Sequence, residues 1–158
     1  MLEFAEGLSA TGLSHLIQSR LWVIPALQSI HILAIAMLMS AILFVSLRLL
    51  GRAWRDASFA ETAARFMPWV WGALAVLIAT GGLLVIGEPK RELLNPSFWT
   101  KMVLVAGAVA LLGWFAARLR RDGPDAVLGQ AWTRPFAFGL LGLFAGIITA
   151  GRLIAYVY

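Results

Sequence analysis

The sequence predicts an all-α membrane protein, a bundle of four transmembrane helices preceded by a short interfacial amphipathic helix. Hydrophobic residues make up 61% of the 158 residues and charged residues only 13%, which is more apolar than a soluble core of this size requires. The charges lie in short clusters between four apolar runs, and each run approaches the ~20 residues that cross a ~30 Å hydrocarbon layer as a helix. The loops are too short to fold alone, so residues 1–158 form a single predicted domain.

The N-terminal segment is predicted to lie on the membrane surface. One apolar stripe at i, i+3, i+4 and i+8 runs through residues 11–22 and is formed by Leu13, Leu16, Ile17 and Leu21. This spacing is typical of an interfacial amphipathic helix. Residues 1–10 are expected to be a polar, flexible lead. Pro25 then indicates the start of a new helix, because proline fits the first turn of a helix better than its interior.

The four apolar runs predict the spans, with turn residues between them. The first span ends at Gly51, the second at the Gly87-Glu88-Pro89 turn and the third before Gly123-Pro124, where glycine and proline stop helices. The predicted spans cover residues 26–50, 68–86, 98–119 and 135–156.

Basic residues are unevenly divided between the two ends of these spans. Five lie on the side of the termini: Arg20, Lys90, Arg91, Lys101 and Arg152. Eight lie on the other side: Arg48, Arg52, Arg55, Arg65, Arg118, Arg120, Arg121 and Arg134. The richer side should face the cytoplasm, so both termini are predicted to face outward.

Composition also limits the possible chemistry and partners. The absence of cysteine excludes disulfides and thiolate sites. The net charge of +5 comes from arginines beside the spans, so it indicates orientation and predicts no nucleic-acid partner. Small residues on the fourth span allow close helix packing, either within the bundle or with other membrane proteins or a second copy: Gly139, Gly142 and Gly146. The remaining expected partner is the lipid bilayer.

Polar residues within the spans are the candidate functional residues, because an ionisable group in hydrocarbon costs at least ~2.5 kcal/mol. Four such residues fall near the outer ends of the spans: Gln28, His31, Lys101 and Arg152. Gln28 and His31 are three residues apart and therefore share a helix face. Arg20, at the end of the interfacial helix, could join them.

This set of one imidazole and several cations indicates an anionic ligand. Haem b fits, with His31 as the metal ligand on the iron and the propionates against Lys101, Arg152 or Arg20; a quinone or a lipid headgroup fits as well. The competing interpretation is structural. His31 would then bond to a neighbouring helix, and the cations would extend to the interface.

Several short motifs resemble a group of uncharacterised bacterial four-helix membrane proteins. They are Gln28-Ser29-Ile30-His31-Ile32-Leu33, Arg48-Leu49-Leu50-Gly51, Thr80-Gly81-Gly82-Leu83-Leu84 and Asn95-Pro96-Ser97-Phe98-Trp99-Thr100-Lys101-Met102. This resemblance implies a multi-pass protein of the bacterial inner membrane. Together with the distribution of basic residues, it predicts that both termini are periplasmic.

More distantly, the layout is similar to HemJ-type protoporphyrinogen oxidase and to the CopD copper-resistance domain. HemJ proteins carry a histidine in the first span and a lysine opening the third, positions that His31 and Lys101 match, and the resemblance ties that pair to haem binding. The third span departs from HemJ at Gly113-Trp114-Phe115, where HemJ carries Tyr-His.

Three functions remain open from the sequence. The first is a redox membrane protein with haem b or a quinone at His31. The second is a non-catalytic subunit or scaffold of a larger complex. The third is CopD-like metal transport, with His31 and the methionines Met37 and Met39 lining a path.

Overall fold

The computed structural model describes residues 1–54 and 56–153, and within them the chain is helical. The helices are α1 (Leu2–Ser9), α2 (Gly12–Ser19), α3 (Val23–Leu49), α4 (Phe59–Gly87), α5 (Pro89–Leu93), α6 (Pro96–Asp122) and α7 (Thr133–Leu153), with a 3₁₀ turn at Asp125–Val127. Arg55 and the end of the fourth predicted span, 154–156, lie outside the described residues.

The predicted fold class is confirmed. Helices α3, α4, α6 and α7 are each long and apolar enough to span a membrane. Helix α3 packs against α4 and α7, and α6 packs against α7, so the four helices surround one apolar core. That core includes Leu38, Ile42, Val70, Leu112, Phe115 and Leu140.

Helix α4 begins well before the second predicted span. Ser58 and Glu61 form a capping box, in which each side chain accepts a hydrogen bond from the other residue's backbone N–H, and this fixes the helix start. Pro68, which the prediction placed at the start of the span, lies inside the helix. Pro25 behaves as expected, because it falls in the first turn of α3.

The N-terminal residues 1–10, expected to be a flexible lead, instead form helix α1. Ala5 is fully buried with Leu93 of α5 and Phe98 of α6, so tertiary packing stabilises a helix too short to be stable alone. Helix α2 falls within the predicted interfacial segment, but one of its apolar residues faces the bundle. Ile17 contacts the end of α4 at Gly87. We call α1 and α2 together the N-terminal arm.

The glycines of α7 differ in their surroundings. A Cβ placed on Gly146 would lie 3.6 Å from Cδ1 of Leu104, so this glycine permits contact between α7 and α6. Cβ atoms on Gly139 and Gly142 would meet nothing within 4 Å. Only Gly146 of the three therefore serves packing between helices among the described residues.

Candidate functional site

The candidate site lies at the end of the bundle that carries the N-terminal arm. Each spanning helix contributes one residue there: His31, Thr80, Lys101 and Gly151. Each of these lies seven residues, in the direction of that end, from a buried core residue: Leu38, Ala73, Ala108 and Phe144. Seven residues are about two helical turns, or about 10.5 Å, and return to the same helix face. The four residues therefore form a layer above the apolar core, which we call the polar layer.

His31 is held in one orientation by α4. Its Nδ1 lies 2.7 Å from Oγ1 of Thr80, and that hydroxyl donates its own hydrogen to the carbonyl oxygen of Val76 at 2.7 Å. With that hydrogen directed to Val76, the Thr80 oxygen has a lone pair for the hydrogen bond from Nδ1–H of His31. The network therefore assigns the proton of the neutral imidazole to Nδ1.

The other ring nitrogen of His31 is available to a ligand. Within the described part of the chain, Nε2 makes no hydrogen bond, and in this tautomer it carries a lone pair. A Cβ on Gly81 would lie 3.5 Å from Cε1 of the ring, so the α4 backbone passes close beside the imidazole. Gln28, one turn earlier on α3, is partly buried.

Lys101 enters the polar layer from α6. A Cβ on Gly151 would lie 3.8 Å from Cδ and Cε of Lys101 and 3.9 Å from its Nζ. The lysine side chain therefore runs along the bare backbone of α7, where a larger side chain would crowd it. Its ammonium interacts electrostatically with both His31 and Glu92.

Glu92 of α5 adds an acidic group beside this end of the bundle. Burial raises the pKa of its carboxyl group above the usual range, while the cations of Lys101 and Arg91 act in the opposite direction. A carboxylate at this position partly balances the charge of Lys101. The polar end of the bundle thus holds an imidazole with a free nitrogen, an ammonium and a carboxyl group.

The other predicted site residues lie at the margin of this layer. Arg20 caps the C-terminal end of α2 and is exposed, and no described hydrogen bond or ion pair joins it to the layer. Arg152 directly follows Gly151 on α7 and is exposed; as the next residue it is turned about 100° around the helix from the inward position. The structure therefore brings together His31 and Lys101.

The structure also bears on which metal or cofactor could bind. Among the described residues no group of three or more His, Asp or Glu side chains could hold a metal ion. If a haem were bound, Nε2 of His31 would be the atom that holds its iron, because Nδ1 is engaged with Thr80. The second histidine, His15, is exposed on α2, and the methionines Met37 and Met39 pack against the apolar core.

Two residues of the polar layer were not predicted from the sequence as site residues. Thr80 appeared only as part of a motif, and Gly151 was not identified. Both residues lie seven positions from an inward-facing residue of the same helix. This spacing could have identified them, but only if the inward face of each helix had been known.

The comparisons with known proteins identify a family. Residues 17–156 match a family of unknown function (DUF6644). The chain belongs to this family. No curated protein and no solved structure matches the DUF6644 chain, so the similarity to HemJ and CopD proteins finds no support there. The matched range of this DUF6644 protein includes all four spanning helices and the whole polar layer.

Proposed function

We propose that this protein is a membrane redox protein that binds the headgroup of a quinone in the polar layer. The observation that carries the proposal is the orientation of His31, whose Nε2 lone pair is left available by the bond from Nδ1 to Thr80. That nitrogen can accept a hydrogen bond from the hydroxyl of a quinol. The ammonium of Lys101 can donate one to a quinone carbonyl oxygen.

The location also suits a ligand that arrives through the lipid. The polar layer lies within spanning helices, near the end where α3 and α6 begin and α4 ends. A quinone combines an apolar tail with two hydrogen-bonding oxygens, so its tail can remain in lipid while its headgroup contacts the layer. Such a site requires few polar groups in an otherwise apolar surface.

Haem b is the second candidate, and the same nitrogen favours it. Nε2 of His31 would be an axial ligand of the iron, and Lys101 would neutralise a propionate. A haem held by two side chains would need a second ligand, whereas His15 is exposed on α2 and Met37 and Met39 pack against the apolar core. Metal transport is less favoured, since Met37 and Met39 contact the core.

The test is binding of a short-chain benzoquinone to the purified protein. Binding is measured by the quenching of tryptophan fluorescence. We expect His31→Ala and Lys101→Met each to weaken binding about tenfold, the loss of roughly one hydrogen bond to a buried group. Thr80→Val should weaken binding less and should shift the His31 ring ¹⁵N resonances away from the Nδ1–H tautomer. Thr80→Ser, which keeps the hydroxyl, should restore both.

His15→Ala is the matched control, because His15 is exposed on α2 and should leave quinone binding unchanged. Equal binding by the wild type and His31→Ala would exclude the quinone site. A Soret band in the purified protein that disappears in His31→Ala would identify haem b in its place. If neither ligand binds, we expect a non-catalytic subunit, and stable membrane partners should then co-purify with it in mild detergent.

We also propose that the polar layer lies near the periplasmic face of a bacterial inner membrane. The excess of arginine at the opposite end of the bundle supports this orientation. Because the chain lacks cysteine, single variants report it directly. Ser9→Cys should react in intact spheroplasts with a membrane-impermeant maleimide, whereas Arg121→Cys should react only after lysis. The reverse pattern would invert the assignment.

A further inference from the structure

An open groove lies outside the polar layer, between the N-terminal arm and the turn from α4 to α5. The groove has a volume of about 540 Å³ and is lined by Ser9, Gln18, Ile24, Gly87, Glu88, Pro89, Lys90 and Arg91. Ile24 is the second residue of α3 and Gly87 the last of α4. The groove therefore lies where two spans end, at the level of the lipid headgroups.

Two ion pairs border this groove. Nζ of Lys90 lies 3.2 Å from Oε1 of Glu6, and Nη1 of Arg91 lies 2.9 Å from Oε2 of Glu88. The first pair is more than half exposed, and exposed pairs of this kind contribute at most about 1 kcal/mol. The Arg91–Glu88 pair is less exposed, at 31% and 27%, but both of its residues line the groove. A ligand in the groove that carries matching charges can therefore exchange partners with each pair.

Gln18 adds a fixed acceptor. Its Nε2 donates to Oγ of Ser14 at 3.0 Å and to the carbonyl oxygen of Gly87 at 2.9 Å. Both amide hydrogens are thereby used, so Oε1 is the atom of Gln18 that remains for a ligand. Ser9 lines the same groove, and its hydroxyl can donate a hydrogen bond.

We propose that this groove binds the headgroup of a zwitterionic phospholipid with a primary ammonium group, a phosphatidylethanolamine. The phosphate contacts Lys90 and Arg91, and the ammonium contacts Glu6, Glu88 and Oε1 of Gln18. The acyl chains continue along the apolar surface that begins at Ile24.

The balance of charges decides between lipid classes. A lipid carrying only a phosphate would draw the two cations away from Glu6 and Glu88 and leave both carboxylates without a partner. A zwitterion offers a phosphate to the two cations and an ammonium to the two carboxylates, so no charged group of either ion pair is left without a partner. A primary ammonium has three N–H donors for the acceptor oxygens of the groove, whereas the trimethylammonium of phosphatidylcholine has none.

Native mass spectrometry of delipidated protein tests this site, with phosphatidylethanolamine, phosphatidylcholine and phosphatidylglycerol of identical acyl chains added in turn. We expect one phosphatidylethanolamine to bind about tenfold more tightly than either other lipid. Lys90→Gln with Arg91→Gln should remove that preference. The matched control is Arg120→Gln with Arg121→Gln. It removes two charges from exposed residues at the C-terminal end of α6, away from the groove, and should retain the preference for phosphatidylethanolamine.

Circular dichroism of each variant shows whether the helices are retained. Equal affinity for all three lipids, or unchanged preference in the Lys90–Arg91 variant, would overturn the proposal. Tighter binding of phosphatidylglycerol would identify an anionic lipid and contradict the zwitterion. Inorganic phosphate that displaces the lipid would show that the groove recognises free phosphate alone.

Discussion

Gly87→Val is expected to detach helix α2 from the bundle. A Cβ at Gly87 would lie 2.9 Å from Cγ2 of Ile17 and 3.8 Å from Cγ1 of Ile24, so valine leaves no room for Ile17. Displacing α2 also breaks the bond from Gln18 to the carbonyl oxygen of Gly87. Hydrogen–deuterium exchange of residues 12–19 should accelerate at least about tenfold, the equivalent of about 1.4 kcal/mol in local opening.

Gly82→Val is the matched control for this substitution. Gly82 lies on the same helix, is exposed, and has nothing within 4 Å of its Cβ position, so exchange in α2 should not change. Ile17→Ala combined with Gly87→Ala removes the clashing methyl group and should recover part of the protection. Unchanged exchange in Gly87→Val would contradict the docked position of α2.

The N-terminal arm shows why the sequence predicted the spans better than their surroundings. Hydropathy alone identifies helices that cross lipid, because each must satisfy its backbone hydrogen bonds internally. Helix α1 depends instead on the contacts of Ala5 with Leu93 and Phe98, which are distant in sequence. The early start of α4 depends on the capping box at Ser58. The sequence prediction instead began this span at Pro68, because proline is common in the first turn of a helix.

The residues of the candidate site also differ in how far the sequence alone could predict them. His31 and Lys101 could be chosen as candidates because the transfer of an ionisable side chain into lipid costs free energy, so such residues are rare within spans. Thr80 carries no such signal, since its hydroxyl can bond within its own helix. Its pairing with His31 depends on how α3 and α4 are rotated against each other, and that rotation follows from packing of the whole core.

Arg48→Met is expected to lower the free energy of unfolding by about 1.5–3 kcal/mol, the range for a hydrogen bond to a charged group. Arg48 is only 8% exposed, at the end of the bundle opposite the polar layer. Its Nε and Nη2 donate to the carbonyl oxygen of Ala57 at 3.2 and 2.7 Å, which joins the end of α3 to the residue before the cap of α4. Methionine fills similar volume but leaves that carbonyl without its donors.

Unfolding by dodecyl sulfate in mixed micelles measures this loss. The matched control is Arg52→Met, at an exposed residue of the loop that follows α3. Arg48→Lys should fall between the two, because an ammonium can donate to the carbonyl but lacks the fork of the guanidinium. An equal effect at Arg48 and Arg52 would contradict the anchoring role. Quinone binding to folded Arg48→Met should be unchanged, because Arg48 and His31 lie seventeen residues apart on α3, about 25 Å along the helix.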